Sequence, residues 1–319
     1  MRLWLVSPSI SVQDKRYSWV ILPHARIVNS AEGWSSTRTN SMGLLDDELR
    51  VPRARVRAVL LGDSFTEALQ VARQDNFGSV AERRMPGLEV VNVGYSGRSP
   101  VEYADWLEEY GPRLKPDIVI VQLNDWDLAD VVMPAALARL AAAAPPSGPP
   151  PESWRARLAR LVMHHSSLAT VALRRMTQLA TDECAQLTRR FHGAGASAPG
   201  PTSAAPAADP RLPVLMDALH RRIAAHASRL VYLYIPSVDC FGSRFDYGEP
   251  QVAAFYHSFA ARNRVTLVDP LDQFRAEFAR TGQPLNGFPN SVMGIGHLNV
   301  AGHRVVGERL ARAIAEAMR

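Results

Sequence analysis

Five short apolar runs, separated by longer polar and amphipathic segments, constrain the fold of this 319-residue chain more than any other feature. The runs cover residues 56–62, 89–94, 117–123, 229–235 and 264–268. Between them apolar residues recur at helical spacing, as they do in the final segment 299–317. Near-continuous apolar strands that alternate with helices are typical of a parallel sheet covered on both faces. The helix that connects two parallel strands crosses over the sheet in a right-handed sense. The sequence therefore predicts a three-layer α/β/α sandwich on a five-stranded parallel sheet.

Polar residues and glycines follow three of these runs at the point where each predicted strand ends. Asp63 and Ser64 come directly after Gly62, where a helix would begin. Gly94 ends the second run and Asn124 follows the third. Because the carboxyl ends of parallel strands meet at one edge of the sheet, these residues are predicted to lie together. Taken singly, each also fits a helix cap or a strand-ending turn.

Four short motifs occur in a fixed order along the chain. They are Gly62-Asp63-Ser64, Asn92-Val93-Gly94, Asn124-Asp125 and Gly296-His297-Leu298-Asn299-Val300-Ala301-Gly302-His303. Each motif alone is weak evidence, but the four in this order resemble the SGNH (GDSL) hydrolase superfamily. The resemblance runs from about residue 39 to the end, with a variable stretch in the middle. It implies the flavodoxin-like α/β/α fold of that superfamily.

The resemblance also implies an acyl-transfer site. Ser64 would be the nucleophile and His297 the general base. The backbone N–H groups of Ser64 and Gly94, together with the side-chain amide of Asn124, would stabilise the oxyanion. His303 matches the second histidine of its motif but lies further into the helix, so we expect it to be structural.

The acidic residue of the superfamily pattern is absent from its usual place. It would fall at Gly294 or Ile295, and neither can serve. Either a backbone carbonyl orients His297 in a Ser–His dyad, which we expect, or a carboxylate comes from elsewhere. Asp269, at the end of the fifth predicted strand, is the candidate for that carboxylate. A third alternative is a site that binds its ligand but barely turns it over.

Four residues that follow the strand-end motifs are predicted to line the rim of the site and bind substrate. They are Tyr95, Arg98, Trp126 and Asp127. An aromatic and polar rim suits a sugar or other polyhydroxylated ester. We therefore expect a serine ester hydrolase that removes a small acyl group, such as O-acetyl, from a carbohydrate. The alternatives are an O-acyltransferase with the same nucleophile and a non-catalytic carbohydrate-binding or scaffold protein.

Composition and motif content argue against several classes of binding partner: nucleic acid, metal ions, cofactors and membranes. A formal net charge of +5 comes mostly from scattered arginines, which is typical of a solvated surface and argues against nucleic-acid binding. The sequence has two cysteines and no Cys-x-x-Cys, no His-Glu-x-x-His and no glycine-rich nucleotide loop, so no metal and no cofactor is expected. It contains no apolar run long enough to cross a membrane. This predicts a cytoplasmic protein, or a periplasmic or extracellular one if a further segment precedes it.

Two regions differ in composition from the predicted α/β domain of residues 51–319. Residues 1–50 are aromatic and irregular, and are predicted to form an N-terminal arm. Residues 131–213 interrupt the domain after the third strand. This insertion combines a proline-rich linker at 145–151, predicted helices within 152–191 and an Ala/Pro/Ser/Gly-rich tract at 193–213. It is a candidate lid or binding surface for a partner protein.

Overall fold

A computed structural model describes residues 11–14, 18–141, 209–241, 244–247 and 249–319. The predicted linker at 145–151, the predicted helices within 152–191 and residues 193–208 of the following tract lie outside the described residues. In the described part of the chain, no helix combines the length and the apolar character that crossing a membrane would require.

The described elements follow the predicted alternation. The strands are β1 (Ser11–Asp14), β2 (Ser18–Ile21), β3 (Arg26–Asn29), β4 (Ser35–Arg38), β5 (Val56–Gly62), β6 (Leu88–Gly94), β7 (Ile118–Leu123), β8 (Leu230–Tyr234), β9 (Val238–Phe241), β10 (Arg244–Tyr247) and β11 (Thr266–Val268). The helices are α1 (Ser64–Glu67), α2 (Phe77–Arg84), α3 (Pro100–Leu114), α4 (Asp127–Val132), α5 (Pro134–Ala141), α6 (Leu212–Ala224), α7 (Pro250–Asn263), α8 (Leu271–Thr281) and α9 (Val300–Ala317).

The five predicted strands form one sheet. Its order is β11-β8-β7-β5-β6, and every neighbouring pair is parallel. The predicted α/β fold with a five-stranded parallel sheet is confirmed. Strand β5 lies between β6 and β7, and its last residue, Gly62, is in register with Gly94 at the end of β6. The carboxyl ends of β5 and β6 are therefore level.

Helices cover both faces of this sheet because its central strands are apolar on both sides. Leu60 belongs to the core shared with α2, α8 and α9, and the next residue, Leu61, belongs to the core shared with α3, α6 and α7. Both side chains are fully buried. This alternation is the expected consequence of a strand whose successive side chains point to opposite faces.

The described part of the N-terminal arm packs across the free edge of the sheet at β6. The N–H of Asn92 on that edge strand donates to Asp46 Oδ2 at 2.7 Å. Between the arm and α3 lies a cavity of about 330 Å³, lined largely by apolar side chains of both. The arm thus satisfies edge-strand hydrogen bonds that would otherwise face water.

The flanks of the predicted insertion are ordinary helices packed on α3. Arg139 on α5 and Arg222 on α6 both reach Asp105 of α3, at 2.8 Å and 2.6 Å. Asp105 is buried, so two guanidinium groups compensate its removal from water. The described ends of the insertion are therefore tied to the core.

The crossing of α9 and α2 gives a first prediction. A Cβ atom at Gly307 of α9 would lie 2.5 Å from Val80 Cβ and 2.6 Å from the carbonyl oxygen of Phe77. Gly307→Ala should lower the free energy of unfolding by about 1–3 kcal/mol, because the two helices must move apart. Urea denaturation measures this. The matched control is Gly111→Ala on α3, where the new methyl meets only the Leu107 side chain. Equal stabilities for the two variants would contradict the packing argument.

His303 gives a second prediction from the same helix pair. Its ring is buried against Phe77 and accepts the Phe77 N–H at Nδ1, so it has the structural position expected from the sequence. Burial, with a smaller contribution from the nearby charge of His297, lowers the pKa of His303 from 6.5 to about 3. Between those values the unfolded chain binds a proton that the folded protein excludes. The stabilisation is therefore complete above pH 6.5 and is lost as the pH falls.

The measurement compares wild type with His303→Gln by urea denaturation at pH 6.5 and pH 5. The stability advantage of the wild type over the variant should shrink by about 1.6 kcal/mol over this interval. His226→Gln, which replaces an exposed histidine, is the control. A gap between wild type and His303→Gln that does not change with pH would show that His303 is not held neutral.

Candidate active site

The nucleophile candidate lies on a rigid strand-to-helix turn. Strand β5 ends at Gly62, and Asp63 caps α1 by accepting the Phe65 N–H at 3.0 Å. Ser64 is the first residue of that helix. The Ser64 N–H has no acceptor among the described residues, as expected for the first turn of a helix. The turn therefore holds both the hydroxyl and a free backbone donor of Ser64 at the sheet edge.

Gln122 supports this turn from the neighbouring strand β7. Its Oε1 accepts the Asp63 N–H at 3.2 Å and the Thr66 hydroxyl at 3.0 Å. Gln122 is fully buried, so these bonds are shielded from water. A side chain at Gly62 would clash with both Thr66 and Gln122, which explains the glycine before Asp63.

His297 meets Ser64 as the sequence motifs predict. It lies just before α9, whose first turn is capped by Asn299. Its Nε2 is 2.9 Å from Ser64 Oγ. On the other side of the ring, Nδ1 is 2.6 Å from Oε2 of Glu32, and the His297 N–H donates to Oε1 of the same carboxylate at 2.9 Å. A hydroxyl, an imidazole and a carboxylate thus form one hydrogen-bonded chain.

The prediction for Asp269 is wrong. One oxygen of its carboxylate accepts the Leu271 N–H at 3.0 Å in the turn that leads into α8, and the other lies 3.0 Å from Nε2 of His257. The expectation that a backbone carbonyl orients His297 is also wrong, because Glu32 occupies Nδ1. Glu32 lies 265 residues before His297, in the turn between β3 and β4 of the arm. No motif in the sequence marked it.

The prediction that the Gly94 N–H is an oxyanion donor is contradicted as well. That N–H donates to Oδ1 of Asn92 at 2.9 Å. Gly94 is buried, and a Cβ there would clash with the backbone of Thr66 and Glu67. The glycine therefore allows α1 to pack on β6. Three residues later, Gly97 is exposed with φ +79°, and its N–H has no acceptor among the described residues.

Asn124 remains compatible with its predicted role. One Nδ2 hydrogen is used by Asp63 Oδ2 at 2.6 Å, and Oδ1 accepts the Trp126 N–H at 2.8 Å. These contacts fix the orientation of the amide. Its second Nδ2 hydrogen has no acceptor among the described residues. The side chain is therefore anchored through Asp63, the neighbour of Ser64, with one donor left over.

The four predicted rim residues differ in how exposed they are in the structure. Trp126 is 53% exposed, as a rim residue should be. Arg98 and Asp127 are buried, so their predicted position at an open rim is wrong. Asp127 accepts the Asn124 N–H at 2.6 Å. Arg98 packs with its guanidinium 4.4 Å from the ring centre of half-buried Tyr95, and both line the cavity beneath the arm.

Buried carboxyls hold the loops around the site. Burial raises the pKa of Asp63, while hydrogen bonds from Phe65 and Asn124 and the charge of His297 lower it. Burial likewise raises the pKa of Glu67, which accepts both the N–H and the hydroxyl of Ser96. Asp63 thus ties down Asn124, and Glu67 ties down the residue next to Gly97.

Comparison with known proteins identifies the family of the chain. The model of the GDSL-like lipase/acylhydrolase family matches residues 60–305. A search of curated proteins gives no match. The solved structures that resemble the chain include TesA, at TM-score 0.44 and 14% identity over 82% of this chain and 99% of that one. They also include a lipase/acylhydrolase from Enterococcus faecalis, with a TM-score of 0.44 and 12% identity, where the alignment covers 82% of this chain and 96% of that one. A third is a catalytic mutant of Axe2, an acetylxylan esterase from Geobacillus stearothermophilus. It aligns with a TM-score of 0.42 and 13% identity over 82% of this chain and 94% of that one. Because the family model spans more than half of the chain, this protein belongs to the GDSL-like lipase/acylhydrolase family and is an ester hydrolase.

Proposed function

We propose that this enzyme removes a small acyl group, of the O-acetyl class, from a carbohydrate or other polyhydroxylated ester through an acyl-enzyme on Ser64. The observation that carries the proposal is the 2.9 Å contact between Ser64 Oγ and His297 Nε2 at the carboxyl end of β5. A hydroxyl within hydrogen-bond reach of an imidazole is the arrangement by which a neutral serine becomes a nucleophile.

The reaction runs in two acyl transfers. Ser64 Oγ attacks the ester carbonyl carbon while its proton passes to His297 Nε2. The tetrahedral intermediate collapses, the C–O bond to the sugar breaks, and His297 returns the proton to the leaving alkoxide oxygen. Water then attacks the acyl-serine and gives its proton to His297. Collapse releases the carboxylic acid and restores the Ser64 hydroxyl.

Three N–H groups are proposed as oxyanion donors. They are the backbone N–H of Ser64, the remaining Nδ2 hydrogen of Asn124 and the backbone N–H of Gly97. Each has no acceptor among the described residues, and each is held by a neighbouring contact of the protein. Donors fixed in advance need little reorganisation when the negative charge develops, which is why they stabilise the transition state.

Two exposed tryptophans support a carbohydrate substrate. Trp126 is 53% exposed and follows Asn124 by two positions, and Trp34 is 64% exposed and follows Glu32 by two positions. The flat apolar face of an indole packs against the C–H face of a sugar ring, and its N–H is free to donate to a hydroxyl. Trp34 was not among the rim residues predicted from the sequence.

Ser64→Ala tests the nucleophile. The variant should lose about six orders of magnitude in kcat on a short-chain aryl ester, because no other group can form the acyl-enzyme. It should also lose labelling by a fluorophosphonate probe, while circular dichroism stays unchanged. Ser258→Ala, at an exposed position of α7, is the matched control and should keep both ester turnover and fluorophosphonate labelling. Undiminished turnover by Ser64→Ala would refute the proposal.

Product analysis tests the choice of a hydrolase over an acyltransferase. With an O-acetylated sugar as donor and a sugar alcohol added as acceptor, mass spectrometry should find mainly free acetate. If acetylated acceptor dominates at acceptor concentrations far below that of water, the enzyme is an O-acyltransferase and the proposed hydrolysis is wrong.

Asn124→Ala tests the oxyanion donors. It should slow turnover by about two to three orders of magnitude, because one transition-state hydrogen bond is lost. Labelling of Ser64 should still go to completion. Asn263→Ala, which removes a half-buried side chain at the end of α7 that is bonded to Asp217, is the control and should leave the rate unchanged. Equal rates for Asn124→Ala and wild type would remove Asn124 from the oxyanion site.

A further inference from the structure

We propose that Glu32 is the acid partner of His297, so that the N-terminal arm completes a Ser64–His297–Glu32 triad. This inference rests on the proposed function, because it assigns the third member of the same site. Its first support is a double contact. One carboxylate oxygen lies 2.6 Å from His297 Nδ1, and the other accepts the backbone N–H of His297 at 2.9 Å. Two contacts to one residue fix both the ring and its main chain.

These contacts select the histidine tautomer that a general base needs. An ionised carboxylate can only accept hydrogen bonds, so Nδ1 carries the proton and donates it to Glu32. Nε2 then presents its lone pair to the Ser64 hydroxyl, 2.9 Å away. When Nε2 takes the serine proton, the ring becomes positive, and the adjacent carboxylate stabilises that charge.

The chain before His297 is shaped to receive this carboxylate. Gly296 has φ +96°, and a Cβ there would lie 2.5 Å from Glu32 Oε1. Any other residue at this position would be strained and would push the carboxylate away. The superfamily acid that is missing at Gly294 and Ile295 is therefore replaced by a carboxylate placed against the neighbouring glycine.

Asn290 holds the turn that carries Glu32. Its Oδ1 accepts the Gly33 N–H at 2.9 Å, and its Nδ2 donates to the carbonyls of Ser30 at 3.0 Å and Gly33 at 2.9 Å. Asn290 belongs to the loop that leads to His297. The same loop therefore positions both the base and the turn that supplies the carboxylate. We assign Asn290 as a positioning residue.

The other titratable groups near His297 have different partners. The carboxylate of Asp63 is bonded to Asn124 Nδ2 and to the Phe65 N–H. His303 is buried and accepts the Phe77 N–H. Among the described residues, Glu32 is the carboxylate that contacts Nδ1 of His297.

Glu32→Gln tests the assignment. The two carboxylate oxygens of Glu32 contact two donors of His297, the Nδ1–H and the backbone N–H. A glutamine has only one oxygen, so its amino group must face one of these donors. Facing Nδ1, it selects the wrong tautomer; facing the main-chain N–H, it loosens the ring. We expect kcat to fall about 10⁴-fold with KM within a few-fold of wild type. Glu48→Gln, a carboxylate on the same arm bonded to Ser41, is the matched control and should be fully active.

Proton NMR in water separates this role from a merely structural one. An Nδ1 proton held between imidazole and carboxylate resonates far downfield of the amide protons. This resonance should be present in wild type and in Ser64→Ala and absent from Glu32→Gln. If Glu32→Gln retains the resonance and turns over within tenfold of wild type, Glu32 is not the acid partner.

Asn290→Ala covers the case in which Glu32→Gln does not fold. It keeps the carboxylate but releases the turn, so kcat should fall about 100-fold with KM unchanged. Unchanged kcat in Asn290→Ala would overturn its positioning role.

Fluorophosphonate labelling keeps this inference separate from the proposed function. If wild type labels at Ser64 but hydrolyses no ester, the proposed function fails, while slower labelling of the Glu32 or Asn290 variant still supports the triad.

Discussion

The parallel pairing of β5 with β6 and β7 is the constraint on which the site depends. Gly62 is level with Gly94, and Leu61 is level with Val121, so three chain segments leave the sheet at the same edge. A shift of one residue in β5 would exchange the faces of Leu60 and Leu61 and expose apolar surface. The two apolar cores thus fix the register, and the register brings Ser64 and Asn124 together.

Buried carboxyls then turn this approximate proximity into fixed geometry. Asp63, Asp127 and Glu67 are held in surroundings that raise their pKa values, and each accepts hydrogen bonds from a segment beside Ser64. Burial of such groups costs free energy unless they are hydrogen-bonded. The bonds that offset this cost also orient Asn124 and the loop before Gly97. Stability and positioning therefore have the same source.

The N-terminal arm links the edge of the sheet to the site. Asp46 binds the edge strand at Asn92, and further along the arm the β3–β4 turn places Glu32 against His297. A carboxylate at Nδ1 fixes the tautomer of a histidine base and stabilises its positive form, and nothing in that chemistry requires the carboxylate to come from an adjacent residue. The expected absence of an acid was the reason to consider a dyad or a non-catalytic protein. With Glu32 in place, that reason no longer applies.

The sequence by itself determined the parallel sheet, the strand-to-helix turn at Ser64 and the proposal that His297 meets that turn. Strand periodicity, the Gly62-Asp63-Ser64 turn and the Asn299 cap act over a few residues, so their consequences can be predicted without knowing distant contacts. The resemblance of the motifs then related Ser64, Asn124 and His297 to one another. These parts of the prediction agree with the observed elements and with the 2.9 Å contact between Ser64 and His297.

Only the tertiary structure decided the remaining features. The acid partner lies 265 residues from His297, and a carboxylate in an irregular arm has no periodicity or cap that indicates where it docks. Whether the Gly94 N–H is free depends on the side chain of Asn92, and whether Asp127 is exposed depends on how Asn124 folds over it. The docking of the arm follows from packing between distant segments, and even the short-range bond from Gly94 to Asn92 depends on such packing, because Asn92 Nδ2 is held by the carbonyl of Thr66 on α1.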